Sequence, residues 1–172
     1  MEENLNYYSK LIQIYKIEMK SHYQFSSVQY LNADLKSIWE FASTPTNLKK
    51  ITPDYMLFNI TSKIKNKIYP GMIISYHVAP ILNIKLNWVT EITQVCEKKY
   101  FIDEQRIGPY SLWHHQHIFE KEGNKVKMTD IVTYKPPFGL IGRIANSLFI
   151  KKQLESIFEY RRNKMDQIFN SH

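Results

Sequence analysis

Residues 136–170 read PPFGLIGRIANSLFIKKQLESIFEYRRNKMDQIFN, and this stretch decides the fold. Behind the two prolines, Leu140, Ile141, Ile144, Leu148, Lys151, Leu154, Ile157, Phe158, Arg161, Met165 and Ile168 recur at threes and fours, the period of an amphipathic α-helix. About thirty such residues span roughly 45 Å at 1.5 Å per residue. A stripe of that length needs a wide apolar surface to cover it.

The rest of the chain supplies one. Six strand-like runs occupy 55–64, 72–79, 84–95, 99–107, 111–121 and 125–135, separated by turn chemistry at Tyr69-Pro70-Gly71, Ala79-Pro80, Glu97-Lys98, Gly108-Pro109 and Gly123-Asn124. A further β-rich run covers 22–31. The period then changes, with Asp34 as a cap before Leu35, Ile38, Trp39 and Ala42. Thr44-Pro45 reads as N-cap and N1 of a second short helix that Pro53 stops. The order β-αα-ββββββ-α predicts an α+β fold, a seven-stranded curved antiparallel sheet wrapped around the C-terminal helix. Residues 19–172 form the single domain expected. Residues 1–18, with Leu5, Tyr8, Ile12 and Tyr15 at helical spacing, form an N-terminal extension, and Met19 is an alternative start.

Composition narrows the function classes. The 172 residues include 24 aromatics against 5 Gly and 7 Pro, far too apolar for disorder. The single Cys96 excludes an internal disulfide framework and a Cys-rich zinc module, and fits a reducing compartment, with the cytoplasm as the default. No apolar stretch is long enough for a membrane span, and the first twenty residues do not read as a signal peptide. None of the glycines forms a GxGxxG or P-loop pattern, which disfavours nucleotide chemistry. The net charge of +7 is spread over Lys63, Lys65 and Lys67, Lys125 and Lys127, Lys151-Lys152 and Arg161-Arg162. These read as solvated faces rather than a nucleic-acid site, which would gather cations and stacking aromatics on one surface. Neither nucleic acid nor stable membrane insertion is expected.

The runs Asp103-Glu-Gln105 with Gly108-Pro109-Tyr110, Trp113-His-His115-Gln-His117-Ile-Phe119, Asp130-Ile-Val132-Thr-Tyr134 with Pro137-Phe138-Gly139, and Phe158-Glu-Tyr160-Arg161 occur in this order. Over residues 20–170 this text resembles the bacterial ligand-binding SRPBCC (START/Bet v 1-like) proteins. The resemblance implies a helix-grip fold with two short helices after the first strand, around an internal cavity for hydrophobic small molecules.

Strand alternation shows which polar residues share the apolar face. On 124–134 that face carries Val126, Met128, Asp130, Val132 and Tyr134. A carboxylate there needs a partner. With Gly123-Asn124 as a two-residue loop, opposed positions set His117 against Asp130, His115 against Val132, Trp113 against Tyr134 and Phe119 against Met128. A three-residue loop at 108–110 then sets Asp103 against His115, Gln105 against Trp113 and Phe101 against His117. A two-residue loop would bring in Glu104 and Tyr100 instead. The three-residue loop is favoured because it yields a second His–carboxylate pair.

Three readings of the cluster compete. It is a satisfied buried network, or the polar end of a ligand cavity, or an acid–base site in which Asp orients His, as in the cyclases and dehydratases that the resemblance brings in. No Ser or Cys nucleophile lies within predictable reach. Gly108, His115, His117 and Glu122 mimic part of a cupin metal signature, but with spacing errors and a terminal helix foreign to jelly rolls. No metal or cofactor is expected. The expected function is therefore non-catalytic binding of a lipid-like or aromatic molecule between sheet and helix. Trp88, Asp103, Gln105, Trp113, His115, His117, Asp130 and Tyr134 are the ligand-binding candidates. The alternatives are a cyclase/dehydratase-type enzyme using His115, His117, Asp103 and Asp130, and an interaction protein with a collapsed cavity. Met72–Val78 and Pro80–Leu82 are candidates for an entrance.

Overall fold

The computed structural model describes residues 22–79 and 84–170. The 1–18 extension and Pro80–Leu82 lie outside them. Seven antiparallel strands form one curved sheet in the order β1-β7-β6-β5-β4-β3-β2. They are β1 Tyr23–Leu31, β2 Asn59–Ile60, β3 Met72–Val78, β4 Leu86–Cys96, β5 Tyr100–Ile107, β6 Leu112–Glu122 and β7 Lys125–Lys135. Between β1 and β2 come α1 (Leu35–Ala42) and the 3₁₀ segments Pro45–Ile51 and Asp54–Met56. After β7 the chain is helical from Gly139 to Phe169, as α2 (Gly139–Ala145), a π turn (Asn146–Ile150) and α3 (Lys151–Phe169).

Local chemistry explains most of these boundaries. Asp34 caps α1, its Oδ1 accepting from the Lys36 and Ser37 backbone N–H groups at 3.0 Å each. The cap aims Ile38 and Trp39 into the core, where Trp39 meets Phe101 and Phe119 edge-on at 6.0 and 5.4 Å. Gly123, at φ +60°, turns the chain between β6 and β7. The hairpin behind it pairs His117 with Asp130, His115 with Val132, Trp113 with Tyr134 and Phe119 with Met128, as the two-residue loop requires.

Four expectations need correction. The run 55–64 is a strand only over Asn59–Ile60, because Leu57 takes a left-handed turn (φ 48°) after the 3₁₀ segment. No strand covers 61–71, so Lys63, Lys65 and Lys67 do not alternate on one. The ladder between β5 and β6 pairs Phe101 with His117 and Asp103 with His115, then ends at Glu104 and His114, leaving Gln105 unpaired with Trp113. Lastly, the sheet covers only α3, through Leu154, Phe158 and Met165, while Leu140, Ile141, Ile144 and Leu148 are exposed.

The sheet bends where its central ladder slips. Between β4 and β5 the register shifts at Val89/Thr90 and again at Ile92/Gln94, and such bulges increase twist and curvature. Into the resulting concavity pack α1 and α3, closing one end around Leu31, Trp39, Phe119 and Met165.

Candidate functional site

Halfway along the concavity, β5, β6 and β7 place Asp103, His115, His117 and Asp130 side by side. All four are largely out of solvent, His115, His117 and Asp130 fully buried. Backbone opposition sets Asp103 against His115 and His117 against Asp130, yet the best hydrogen bonds run crosswise. His115 Nε2 donates to Asp130 Oδ1 at 3.0 Å, and His117 Nε2 donates to Asp103 Oδ2 at 2.9 Å. His117 Nδ1 is also 2.8 Å from Asp130 Oδ1, but without the alignment of a hydrogen bond, and His115 Nδ1 is 3.4 Å from Asp103 Oδ2. The imidazole centroids are 3.8 Å apart, with Phe101 stacked on His117 at 4.1 Å and Phe158 edge-on to His115 at 5.6 Å.

This ring of contacts splits the two histidines electrically. Burial disfavours charge on both. For His115, burial and the neighbouring His117 charge prevail over the two aspartates and lower its pKa. For His117, the hydrogen bond to Asp103 and the close negative charge of Asp130 outweigh burial and raise it. Burial would likewise raise both carboxyls, but His115 and His117 hold Asp103 below the ordinary carboxylate range and Asp130 far below it. Of the two imidazoles, His117 therefore holds a proton more readily than His115, beside two carboxylates.

Above the quartet the sheet and α3 border a partly open pocket of about 180 Å³. That is somewhat larger than the roughly 150 Å³ apolar cavity that accommodates benzene. Phe58, Tyr76, Trp88, Phe101, Tyr110 and Trp113 wall the sheet side, and Leu154, Ile157 and Phe158 the helix side. Trp88 stands edge-on to Trp113 at 5.3 Å. The polar tips in this wall are tied back, since Trp88 Nε1 donates to Thr90 Oγ1 at 3.1 Å and the Tyr76 hydroxyl lies 3.0 Å from the same oxygen. Asp103, His115 and His117 form one polar patch of the lining, and Thr44, Asn47 and Thr52 add neutral polar groups elsewhere in it.

Of the eight candidates, Trp88, Asp103, Trp113, His115 and His117 line this cavity. Asp130 lies behind the histidines and borders a small cleft beside Ser27 and Gln29. Tyr134 is buried with its hydroxyl donating to Asn146 Oδ1 at 2.9 Å, a bond that anchors the π turn. Gln105 folds back over its own loop: Nε2 donates to the Tyr110 carbonyl at 2.7 Å, and Oε1 accepts from the Tyr110 N–H at 3.2 Å. A Cβ at Gly108 would run into that side chain. Gln105 therefore sets Tyr110 rather than meeting a ligand.

Arg161 is the main residue that sequence reading misplaced. It lines the cavity instead of a solvated face, with its guanidinium 4.9 Å over the Phe158 ring and its Nε buried without an acceptor. The signal was present, because Arg161 falls on the same three-and-four stripe as Phe158 and Met165. Ligating atoms of Asp103, His115 and His117 lie within 4.8 Å of one another, a donor set that suits a divalent ion. Their mutual pairing already accounts for each of them.

With this geometry the molecule can be set beside known structures. Ginseng major latex-like protein 151 from Panax ginseng superposes with a TM-score of 0.61 at 10% identity, covering 86% of this chain and 97% of that one. Ara h 8.0201 gives 0.54 at 10%, covering 84% and 98%. This chain has the Bet v 1-like helix-grip fold. Ms6760 from Mycobacterium smegmatis gives 0.60 at 14%, covering 84% and 92%. At such identities the likeness is one of fold. No family model and no curated protein matches the sequence.

Proposed function

We propose that the protein binds an apolar small molecule, lipid-like or aromatic, between sheet and α3, without transforming it. One observation carries the reading: the fold borders a pocket of about 180 Å³ whose wall is mostly aromatic and aliphatic, with Asp103, His115, His117 and Arg161 as its few charged or ionisable polar groups beside scattered Thr and Asn side chains. Sites of that make-up hold apolar ligands and use their few polar groups for orientation. An interaction protein with a collapsed interior would have no such space. The lone Cys96 supports residence in a reducing compartment such as the cytoplasm. Among the described residues no helix is long and apolar enough to cross a membrane.

Native mass spectrometry of protein purified from its own host tests this, with a retained small molecule expected. In parallel, the neutral fluorophore N-phenyl-1-naphthylamine should bind with one-to-one stoichiometry, and Trp113→Ala should weaken it. An interior that takes up neither a host molecule nor the dye refutes binding.

A second reading has its own support. The quartet drives its two histidines apart in pKa, and a split pair is how one site supplies both an acid and a base. If the protein is a dehydratase- or isomerase-type enzyme, His117→Ala abolishes turnover of the identified ligand while leaving its affinity intact. Unchanged ligand after prolonged incubation with the wild type rejects catalysis.

A further inference from the structure

Arg161 brings to the cavity a cation that no described residue pairs. Arg161 carries five N–H donors on a planar fork built for oxyanions. Among the described residues no side-chain or backbone oxygen accepts from it, and no Asp or Glu forms an ion pair with it. Asp103 is near enough to feel its charge, as is Tyr76, yet Asp103 gives its oxygen to His117 instead. Phe158 fixes the guanidinium plane from below. Arg161 offsets one of the two carboxylates and a protonated His117 offsets the other, so the field opposing an incoming anion is weakest when His117 carries its proton.

We propose that Arg161 is the receptor for an acidic group on the cavity's ligand, which makes the ligand class an apolar molecule bearing a carboxylate or comparable oxyanion. The inference rests on the cavity-binding reading above and sharpens it. Two dyes of one skeleton test it: 8-anilino-1-naphthalenesulfonate carries the anion, and N-phenyl-1-naphthylamine lacks it. Wild-type protein should prefer the sulfonate. Arg161→Leu should weaken the sulfonate roughly tenfold to a hundredfold, the weight of one charge-assisted hydrogen bond, with the neutral dye unchanged, and Arg161→Lys should restore part of the loss. Equal weakening of both dyes, or a sulfonate affinity indifferent to Arg161, overturns the assignment. If neither dye binds the wild type this assignment falls, and if no host molecule is retained either, cavity binding falls with it. If only the neutral dye binds, this assignment falls alone.

A separate observation lies outside the cavity. Phe138, Leu140, Ile141, Ile144, Leu148 and Phe149 are all more than half exposed on one limb, α2 and the π turn. The limb is held in place, since Tyr134 bonds Asn146 and Gly142 packs against the Pro137 carbonyl so closely that a Cβ would overlap it. Around these side chains stand Lys135, Lys151, Lys152 and the half-buried Arg143, and the nearest acid along the helix is Glu155, 3.9 Å from Lys151. Apolar side chains fringed by cations fit an anionic bilayer surface. We infer that this limb docks peripherally on anionic membranes. Co-sedimentation with phosphatidylcholine–phosphatidylglycerol vesicles should exceed that with phosphatidylcholine alone and fall with salt. Lys151→Glu with Lys152→Glu should weaken it at least fivefold per lysine, and Ile141→Asn with Phe149→Ser should abolish it. Failure to bind either vesicle, or a dimer in sedimentation velocity that the Ile141→Asn/Phe149→Ser variant dissociates, overturns this inference.

Discussion

Replacing Asp130 by Asn probes the quartet at its most buried carboxylate. The substitution keeps shape and one acceptor oxygen, so His115 Nε2 retains a partner at the present 3.0 Å. What disappears is the negative charge 2.8 Å from His117 Nδ1. Removing one member of a buried pair destabilises by about 3–5 kcal/mol. The preserved bond and the second aspartate, 2.9 Å from His117 Nε2, place the expected loss near the lower end, at about 3 kcal/mol. For a domain of this size that is a fall in Tm of roughly 6–12 °C. Because the folded-state pKa of Asp130 is depressed, its contribution is present above the ordinary carboxylate pKa and is lost as pH falls through the folded value. His117 has the opposite sign: its raised pKa gives stability below the unfolded value that is lost as pH rises through the folded one. The penalty of the substitution should therefore be greatest between those limits, from mildly acidic pH to near neutrality. Urea unfolding across pH measures it, and histidine NMR titration should show His117 moving down in the variant. A loss under about 1 kcal/mol, or an unmoved His117, would refute the electrostatic account of the quartet.

Other positions give simpler expectations. Trp39→Ala removes the ring that meets Phe101 and Phe119 and should cost about 3–5 kcal/mol in denaturant unfolding. Gln105→Ala deletes both bonds to the Tyr110 backbone, should cost about 1–2 kcal/mol, and should weaken dye binding because the Tyr110 ring lines the cavity. Gly142→Ala forces a methyl into the Pro137 carbonyl and should destabilise by about 1–3 kcal/mol, with faster amide exchange confined to residues 138–150.

The parts of the fold that local chemistry decides could be read from the sequence. The Asp34 cap began α1 where expected, and Gly123-Asn124 fixed every opposed pair along β6 and β7, because a two-residue loop leaves no freedom of register. Side-chain rotation was not legible in the same way. Opposition brought the two His–Asp pairs into one place, but the crosswise bonds depend on χ angles that backbone pairing does not set. The segment 55–64 misled because Met56 and Phe58 do enter the core, as a strand would place them, but from a 3₁₀ turn and a left-handed Leu57. Arg161 was lost beside Arg162, since two adjacent arginines on a helix read as surface although only one falls on the buried stripe. Arg162 itself reaches over to Ser27 on β1.

The slips between β4 and β5 have a further consequence. Ile92 pairs with Asp103 and Gln94 with Ile102, so Thr93 is a supernumerary residue of β4, and Arg106 plays the same part in β5 between Gln105 and Ile107. Neither lines the cavity. Removing Thr93 would leave Ile92 and Val95 on the inner face and straighten the strand, whereas removing a residue well away from the slip would turn the side chains in between inside out. The capacity of the interior is thus written into two residues that no ligand would touch, and a lineage could enlarge or shrink the space by gaining or losing one of them without altering a single residue of its wall.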